Sequence, residues 1–327
     1  MKKNRALKQN KSHSLGFFNI TGIKRRHKLD IRIREKIPCL NKANSIIPVN
    51  KGFSADQKYI IDEQYLIRIF SSEFDRDRRE EYHTIHALSA YSDYVPKVIE
   101  FGSLEDLNLS YMILTYLPGE DAEVSLQGLT KEEQYSAGFI AGGELKKLHG
   151  LSAPATVLPW YEQKKRKNDH YLVGFKKLPL DKEFKAMFET YIDKNEYLMR
   201  GRPNTFQHDD FHPSNLLINN RKFSGIIDFQ RMDWGDPIHD LTKLGFFSSR
   251  ISVPFTRGIV DGYHNDGVVG EDFWELYSLY SVMHIVSALV WGLKINREQY
   301  ELLLSYSLDV IRDHDDFNRV IPKWYES

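Results

Sequence analysis

A single cysteine, Cys39, stands in 327 residues. One thiol excludes an intramolecular disulfide and any cysteine-built metal cluster, and it suits a reducing, cytoplasmic setting. Net charge is also missing, because 45 Lys and Arg balance 45 Asp and Glu. Nothing in that balance calls for a nucleic acid or an anionic membrane surface as partner. Uninterrupted hydrophobic runs are absent too. The most apolar stretch, Phe273 to Trp291, is broken by Glu275, Ser278, Ser281, His284 and Ser287. It therefore reads as a buried helix and not a membrane span. The basic N-terminus lacks the apolar segment of a signal peptide. Repeats and low-complexity tracts are missing as well. Hydrophobic content of 41% and charged content of 28% are those of an ordinary globular chain.

Chemistry concentrates in His208-Asp-Asp-Phe-His-Pro-Ser-Asn215 and Ile226-Ile-Asp-Phe229. Asp210 and Asn215 are five positions apart, a spacing that fits one tight loop. Leu216 to Ile218 reads as a strand, Asn219 to Lys222 as a turn, and Ser224 to Ile227 as the returning strand. Such a hairpin folds Asp228 back beside Asn215. The product is a hydroxyl-facing carboxylate, Asp210, next to two oxygen ligands for a hard cation, Asn215 and Asp228. Magnesium takes few protein oxygens and completes its shell with water and phosphates, so two or three suffice.

This arrangement resembles the catalytic loop and metal-binding Asp of protein-kinase-like enzymes. The pattern H-x-D-x-H-P-x-N, then I-I-D-F, then Gly235-Asp-Pro237 is similar to the aminoglycoside phosphotransferase family of small-molecule kinases. Members usually have Gly between the first His and the catalytic Asp. Asp209 stands there in this chain and adds a charge that requires a neutralising partner. The resemblance spans roughly residues 46 to 290, by the order of the motifs. It implies an α+β, protein-kinase-like two-lobe fold, with a small β-rich N-lobe and a larger, mainly helical C-lobe.

The rest of the chain reads in the same order. Residues 1–28 carry nine Lys or Arg and no acid. The domain organisation expected is a flexible basic extension over 1–35, a nucleotide-binding lobe over 36–116, and a helical lobe over 117–327. A short helix over Leu29 to Leu40 stops around Pro38. Lys58 to Ile61 and Tyr65 to Phe70 read as strands about a turn at Asp62 to Gln64, with Leu66 and Arg68 on one face. Asp75 to Ala90 reads as a helix carrying Glu81, Ile85 and Leu88 on one side. Pro96 to Ile99 and Ser110 to Thr115 read as strands, and Leu117-Pro-Gly119 as a connection. Thr130 and Glu133 form a capping box for a helix to His149. Phe184 to Leu198 gives a further amphipathic helix.

Gly52 lets backbone amides approach phosphate, and Ser54 can donate to it. The segment Lys51-Gly-Phe-Ser-Ala-Asp-Gln-Lys-Tyr59 resembles the family's K-G-x-S-x-D-x-K-Y nucleotide loop. Arg68 stands where kinase-like folds carry a phosphate-binding lysine, and its fork can bind phosphate and carboxylate together. Glu81 matches the acidic partner of that cation. The resemblance further implies a hinge over Leu114 to Leu117, with Thr115 and Leu117 at the base edge and Leu66 and Ile227 around the ring. It assigns Asp240, with Asp236 and His208, to bracing the catalytic loop.

The activity expected is transfer of the γ-phosphoryl group of ATP or GTP, with Mg²⁺, to a hydroxyl of a small molecule. The alternative is a non-catalytic, nucleotide-binding scaffold, favoured by Arg68 and Asp209 and opposed by intact Asp210, Asn215 and Asp228. A regulated protein kinase is disfavoured because Gln230 follows Asp228-Phe229. The acceptor class stays open among aminoglycosides, macrolides, amino alcohols and sugars. Asp233, Asp313, Asp315 and Asp316 are candidates for a polycation pocket. The mainly basic stretch Glu162 to Lys167 disfavours a polycation if it lines the cleft. Oligomeric state is not specified.

Overall fold

The computed structural model describes residues 29–50 and 54–327. Strands β1 (Ile46–Val49), β2 (Gln57–Ile61), β3 (Tyr65–Ser71), β4 (Val98–Leu104) and β5 (Leu109–Thr115) form an antiparallel sheet in the order β1-β2-β3-β5-β4. Alternation along the strands splits their residues between two cores. Tyr59, Ile61, Ile67 and Ile69 pack with Ile33, Ile37 and Leu40 of the short helices α1 (Ile31–Lys36) and α2 (Pro38–Asn41). Phe70, Met112 and Leu114 pack on the other face, with Ile85 and Leu88 of α3 (Asp75–Leu88). That alternation turns Arg68 toward α3, where Glu81 waits.

Two boundaries differ from expectation. The predicted single helix over 29–40 is two helices, because Ile37 is extended and Pro38 opens a new turn. Ile33, 3% exposed, is part of the sheet's core, so residues 29–35 belong to the folded lobe and not to an extension. The basic stretch 1–28 lies outside the described residues.

Beyond Pro118 the chain becomes the helical lobe. A two-residue strand, β6 (Glu120–Asp121), leads into α4 (Ala122–Ser125) and then α5 (Lys131–Leu148), which starts with the predicted capping box at Thr130 and Glu133. Helices α6 (Trp160–Phe175) and α7 (Lys182–Asn195) precede the catalytic segment. That segment contains β7 (Thr205–Gln207), the hairpin β8 (Leu216–Asn219) and β9 (Lys222–Ile226), and β10 (Asp233–Gly235). The chain ends in α8 (Ser249–Ile251), α9 (Val253–Tyr263), α10 (Glu271–Ile295), α11 (Arg297–Asp313) and α12 (Lys323–Glu326).

Helix α10 contains the apolar stretch Phe273 to Trp291, and it is the buried axis of this lobe. Trp274, Tyr277, Tyr280, Ile285 and Leu289 are all nearly inaccessible. Two of its polar interruptions find partners inside: Ser278 Oγ lies 3.1 Å from His314 Nδ1 and donates to Val320 O at 3.0 Å, and Ser287 Oγ donates to His284 O at 2.9 Å.

Candidate active site

The catalytic loop runs from β7 to β8. Strand β7 pairs with β10, so that Gln207 opposes Asp233 and Thr205 opposes Gly235. Asn220 and Arg221 turn the β8–β9 hairpin with φ of 47° and 64°, as a tight two-residue turn requires. The Ile227 amide donates to Asn215 O at 3.0 Å and closes the base of the hairpin. Asp210, Asn215 and Asp228 are thereby gathered.

Asp240 holds the loop from beneath. Its two carboxylate oxygens accept from the amides of His208 (2.6 Å) and Asp209 (2.7 Å), and His149 Nε2 lies 3.1 Å from Oδ2. His208 is neutral, because burial pushes its imidazole down. Its Nε2–H donates to Ile227 O at 3.0 Å, while Nδ1 accepts the Asp210 amide at 3.3 Å. One ring therefore ties the catalytic loop to the metal-side strand. Asp236 acts at a distance from the loop. Its carboxylate caps Ile238 N and accepts from Arg202 and from Tyr280 Oη at 2.7 Å, and its carbonyl takes Gln207 Nε2 at 2.5 Å. It anchors the segment to α10 and touches the loop only through Gln207.

Asp210 is nearly buried, with cations on two sides. Lys243 Nζ lies 3.0 Å from Oδ1, Arg231 Nε 3.5 Å from Oδ2, and His212 Nε2 3.5 Å from Oδ1. Burial works to raise this carboxyl, but Lys243, His212 and Arg231 outweigh it and hold it well below the usual range. Asp210 is thus a fixed anion, suited to orienting a hydroxyl.

Asn215 donates through Nδ2 to Asp210 O (2.9 Å) and Oδ2 (3.2 Å), which leaves its carbonyl oxygen for a cation. Asp228 has left-handed backbone, φ 65° and ψ 64°, which re-aims its carboxylate into the cleft. The sole cation within ion-pair distance of it, among the described residues, is Lys58, with Nζ 3.7 Å from Oδ2. Burial raises the Asp228 carboxyl, and Lys58 and Arg68 pull it below its ordinary value. Two hard oxygens without protein donors fit a magnesium completed by phosphates and water. No group of three or more His, Cys, Asp or Glu among the described residues could hold a metal by itself.

Arg68 is placed otherwise than as an open phosphate clamp. Its guanidinium gives NH1 to Glu81 Oε1 at 2.5 Å and NH2 to Asp56 Oδ2 at 2.8 Å. Arg78 bridges the same two carboxylates, at 2.8 Å from Asp56 and 3.1 Å from Glu81. All four side chains are buried. The predicted Arg68–Glu81 pair exists, but as half of a closed square. Burial opposes the Arg68 charge, and Glu81, Asp56 and Asp228 raise its affinity for the proton beyond the ordinary value. The cation that faces Asp228 is Lys58, which opposes Arg68 in the β2–β3 register. That register was the available signal for Lys58, because residues opposed on neighbouring strands share a face.

Leu66 and Ile227 are half-buried. Ser54 Oγ accepts the Asp56 amide at 3.1 Å. Gly52 lies outside the described residues. The hinge differs from expectation, because Thr115 and Tyr116 use their amides on Lys97 O and Gln64 O, both at 2.8 Å.

Asp209 also has left-handed backbone, with φ 53°, a geometry that favours Gly. Its carbonyl accepts from Lys243 Nζ. Burial raises its carboxyl, but Lys243, Lys167, His239 and Lys164 drive it far below the normal range. These are the neutralising partners that Asp209 requires. Two come from α6, which is drawn onto the site by Trp160. The Trp160 indole donates to Tyr280 Oη at 2.8 Å and lies so close to Gly235 that a Cβ there would fall 2.2 Å from the ring. Lys164 and Lys167 of that basic stretch therefore face the catalytic segment, whereas Lys165 pairs with Glu196 and Asp169. Burial, with Lys167 beside it, pushes the Lys164 ammonium down to about 7. Of the four acids considered for a polycation pocket, only Asp233 is here, 3.9 Å from Lys167 Nζ. Asp315 lies by Lys323, and Asp316 lies beside α7.

The phosphotransferase enzyme family, APH, matches residues 45–277. No curated protein matches by sequence. Among solved structures, the gentamicin–APH(2")-IIa complex is 19% identical, with a TM-score of 0.63 over 86% of this chain and 96% of that one. The streptomycin–ATP–APH(2")-IIa ternary complex is 18% identical, with a TM-score of 0.62 over 91% of this chain and 99% of that one. The GDP complex of wild-type aminoglycoside 2'-phosphotransferase-IIIa is 17% identical, with a TM-score of 0.64 over 85% and 96%. At these identities the likeness establishes the fold. The match over more than half of the chain establishes the family: the chain belongs to the phosphotransferase enzyme family.

Proposed function

From membership of that family, we propose that this chain transfers the γ-phosphoryl group of ATP or GTP to a hydroxyl of a small molecule in the cytoplasm. The observation that carries the reading is the gathering of Asp210, Asn215 and Asp228 by one loop and one hairpin, closed by the Ile227–Asn215 bond. Asp210 orients the acceptor hydroxyl and takes its proton as the new O–P bond forms. A carboxylate held so acidic is a weak base, so its main work is alignment, which suits a loose phosphoryl-transfer transition state. Lys243 and Arg231 keep it ionised and fix its two oxygens. Asn215 and Asp228 would hold Mg²⁺, which when bound neutralises the phosphate charge. Lys58, across the strand from Arg68, reaches the phosphates. Arg68 works one step back, by fixing Asp56 and Glu81 and stiffening the lobe under Lys58.

The test is nucleotide consumption with Mg²⁺-ATP and Mg²⁺-GTP against a panel of hydroxyl acceptors, with Asp210→Ala in parallel. Acceptor-dependent turnover that disappears in the variant, while Mg²⁺-nucleotide still raises the melting temperature, supports the reading. Full activity in Asp210→Ala sinks it. A scaffold would bind nucleotide with no acceptor-dependent turnover.

A further inference from the structure

Helix α6 presents Trp160, Lys164, Lys167 and Tyr171 at helical spacing on the face that meets the catalytic segment. Lys164 is 9% exposed. Its hydrogen bond runs to an imidazole, His239 Nε2, at 2.6 Å, and no carboxylate oxygen lies within 4.0 Å of it among the described residues. His239 must accept that bond, so its proton sits on Nδ1. That buried nitrogen has no hydrogen-bond partner and lies 3.7 Å from Asp209 Oδ1. The Asp209 carboxylate likewise accepts no hydrogen bond from the described residues, and this imidazole is the one basic group within 4.0 Å of it among them. Three polar groups thus converge with their hydrogen-bonding capacity unspent, although buried groups of this kind are normally paired.

Water can satisfy a carboxylate and an imidazole, but it cannot cancel charge. Lys243 and Arg231 lie on Asp210, and Lys167 lies 3.9 Å from Asp233. Asp209, Asp210 and Asp233 are therefore set against Lys164, Lys167, Arg231 and Lys243, and the cations exceed the anions by one. Lys164 is the one of the four with no carboxylate oxygen within 4.0 Å among the described residues. A buried cation with no counterion in contact is unfavourable until an anion arrives, and a polycation would aggravate it.

We propose that the acceptor carries, besides its reacting hydroxyl, an anionic oxyacid group, a carboxylate or a phosphate, seated between Lys164 and Lys167. This rests on the phosphotransferase reading above. The acceptor oxygen bonds to the γ-phosphorus, the bond from that phosphorus to the β-bridging oxygen breaks, the hydroxyl proton passes to Asp210, and the nucleoside diphosphate leaves with the electron pair. The distant anionic group takes no part in the bond changes and fixes which hydroxyl faces Asp210.

The experiment uses the full chain saturated with Mg²⁺-ADP, so that the nucleotide site cannot take the probe. Inorganic phosphate, oxalate and spermidine are titrated while the melting temperature is followed. Phosphate or oxalate should raise it saturably, and the stronger of the two identifies the oxyacid. Lys164→Met and, separately, the half-exposed Lys167→Gln should each weaken that binding about tenfold or more. Spermidine should give no shift. An absent anion response, a response equal in both variants, or stabilisation by spermidine overturns the proposal. So does phosphorylation of a hydroxyl compound without an anionic group at a KM unchanged in Lys164→Met. Failure of Mg²⁺-ADP itself to stabilise the protein would count against the phosphotransferase reading. Failure of the anions alone, with ADP bound, counts only against this inference.

Discussion

Lys58 Nζ lies 3.7 Å from Asp228 Oδ2, across the β2–β3 register from an Arg68 whose guanidinium is enclosed by Asp56 and Glu81. On the proposed function, the two cations of one sheet face are divided between phosphate contact and structural support. Arg68→Met should destabilise the fold by about 3–5 kcal/mol, because it leaves two buried carboxylates with one cation, Arg78, between them. Lys58→Met should cost less than about 1 kcal/mol yet weaken Mg²⁺-nucleotide binding about tenfold or more. Chemical denaturation and nucleotide titration of both variants separate the roles. Equal stability loss in the two would contradict the division.

Asp240 accepts the amides of both His208 and Asp209 and so sets the position of Asp210. Asp240→Asn replaces one acceptor oxygen by a donor that faces an amide. We expect kcat to fall about 100-fold, with nucleotide Kd changed less than about threefold. Steady-state kinetics with nucleotide titration checks this. A change confined to KM would show that Asp240 does not set the loop.

Helices α5 and α9 cross at backbone contact. A Cβ on Gly142 would fall 2.0 Å from Ile259 O, which is main chain and cannot swing aside. Gly142→Ala should therefore destabilise by at least about 1–3 kcal/mol, measurable as a lower denaturation midpoint. An unchanged midpoint would mean that the helices separate more easily than this contact implies.

Lys164 carries a stability signature in pH. Its ammonium is pushed down to about 7 in the fold, chiefly by burial, whereas an unfolded lysine titrates near 10.4. Between those values the unfolded chain binds the extra proton, so stability attributable to this residue rises with pH from about 7 to about 10. Lys164→Met should remove that rise and stabilise the protein at neutral pH by about 1–3 kcal/mol. Denaturation midpoints at pH 7 and pH 9.5 for both proteins provide the check. A wild-type curve that falls across this window while the variant's stays parallel to it would refute the assignment.

Much of the fold was legible because its signals are local. The strands at Lys58–Ile61 and Tyr65–Phe70 follow from apolar alternation, and Thr130 with Glu133 specifies a helix start by hydrogen bonds three residues apart. The spacing from Asp210 to Asn215, and the hairpin that returns Asp228, bring the chemistry together within 19 positions of one another. The burial of Phe273 to Trp291 was likewise readable, because its serines and His284 are too frequent for a lipid-facing helix.

The sequence by itself determined the family, the two-lobe layout and the order of the catalytic groups, since these depend on short spacings and periodic patterns. Only the tertiary structure decided which charges meet. Arg68 became structural because Asp56 and Arg78, 12 and 10 positions away on either side, close around it with Glu81. Lys164 and Lys167 reached the catalytic loop because Trp160 stacks over Gly235, 75 positions downstream. Electrostatic energy depends on distance and burial, and neither is set until helices and sheet have packed.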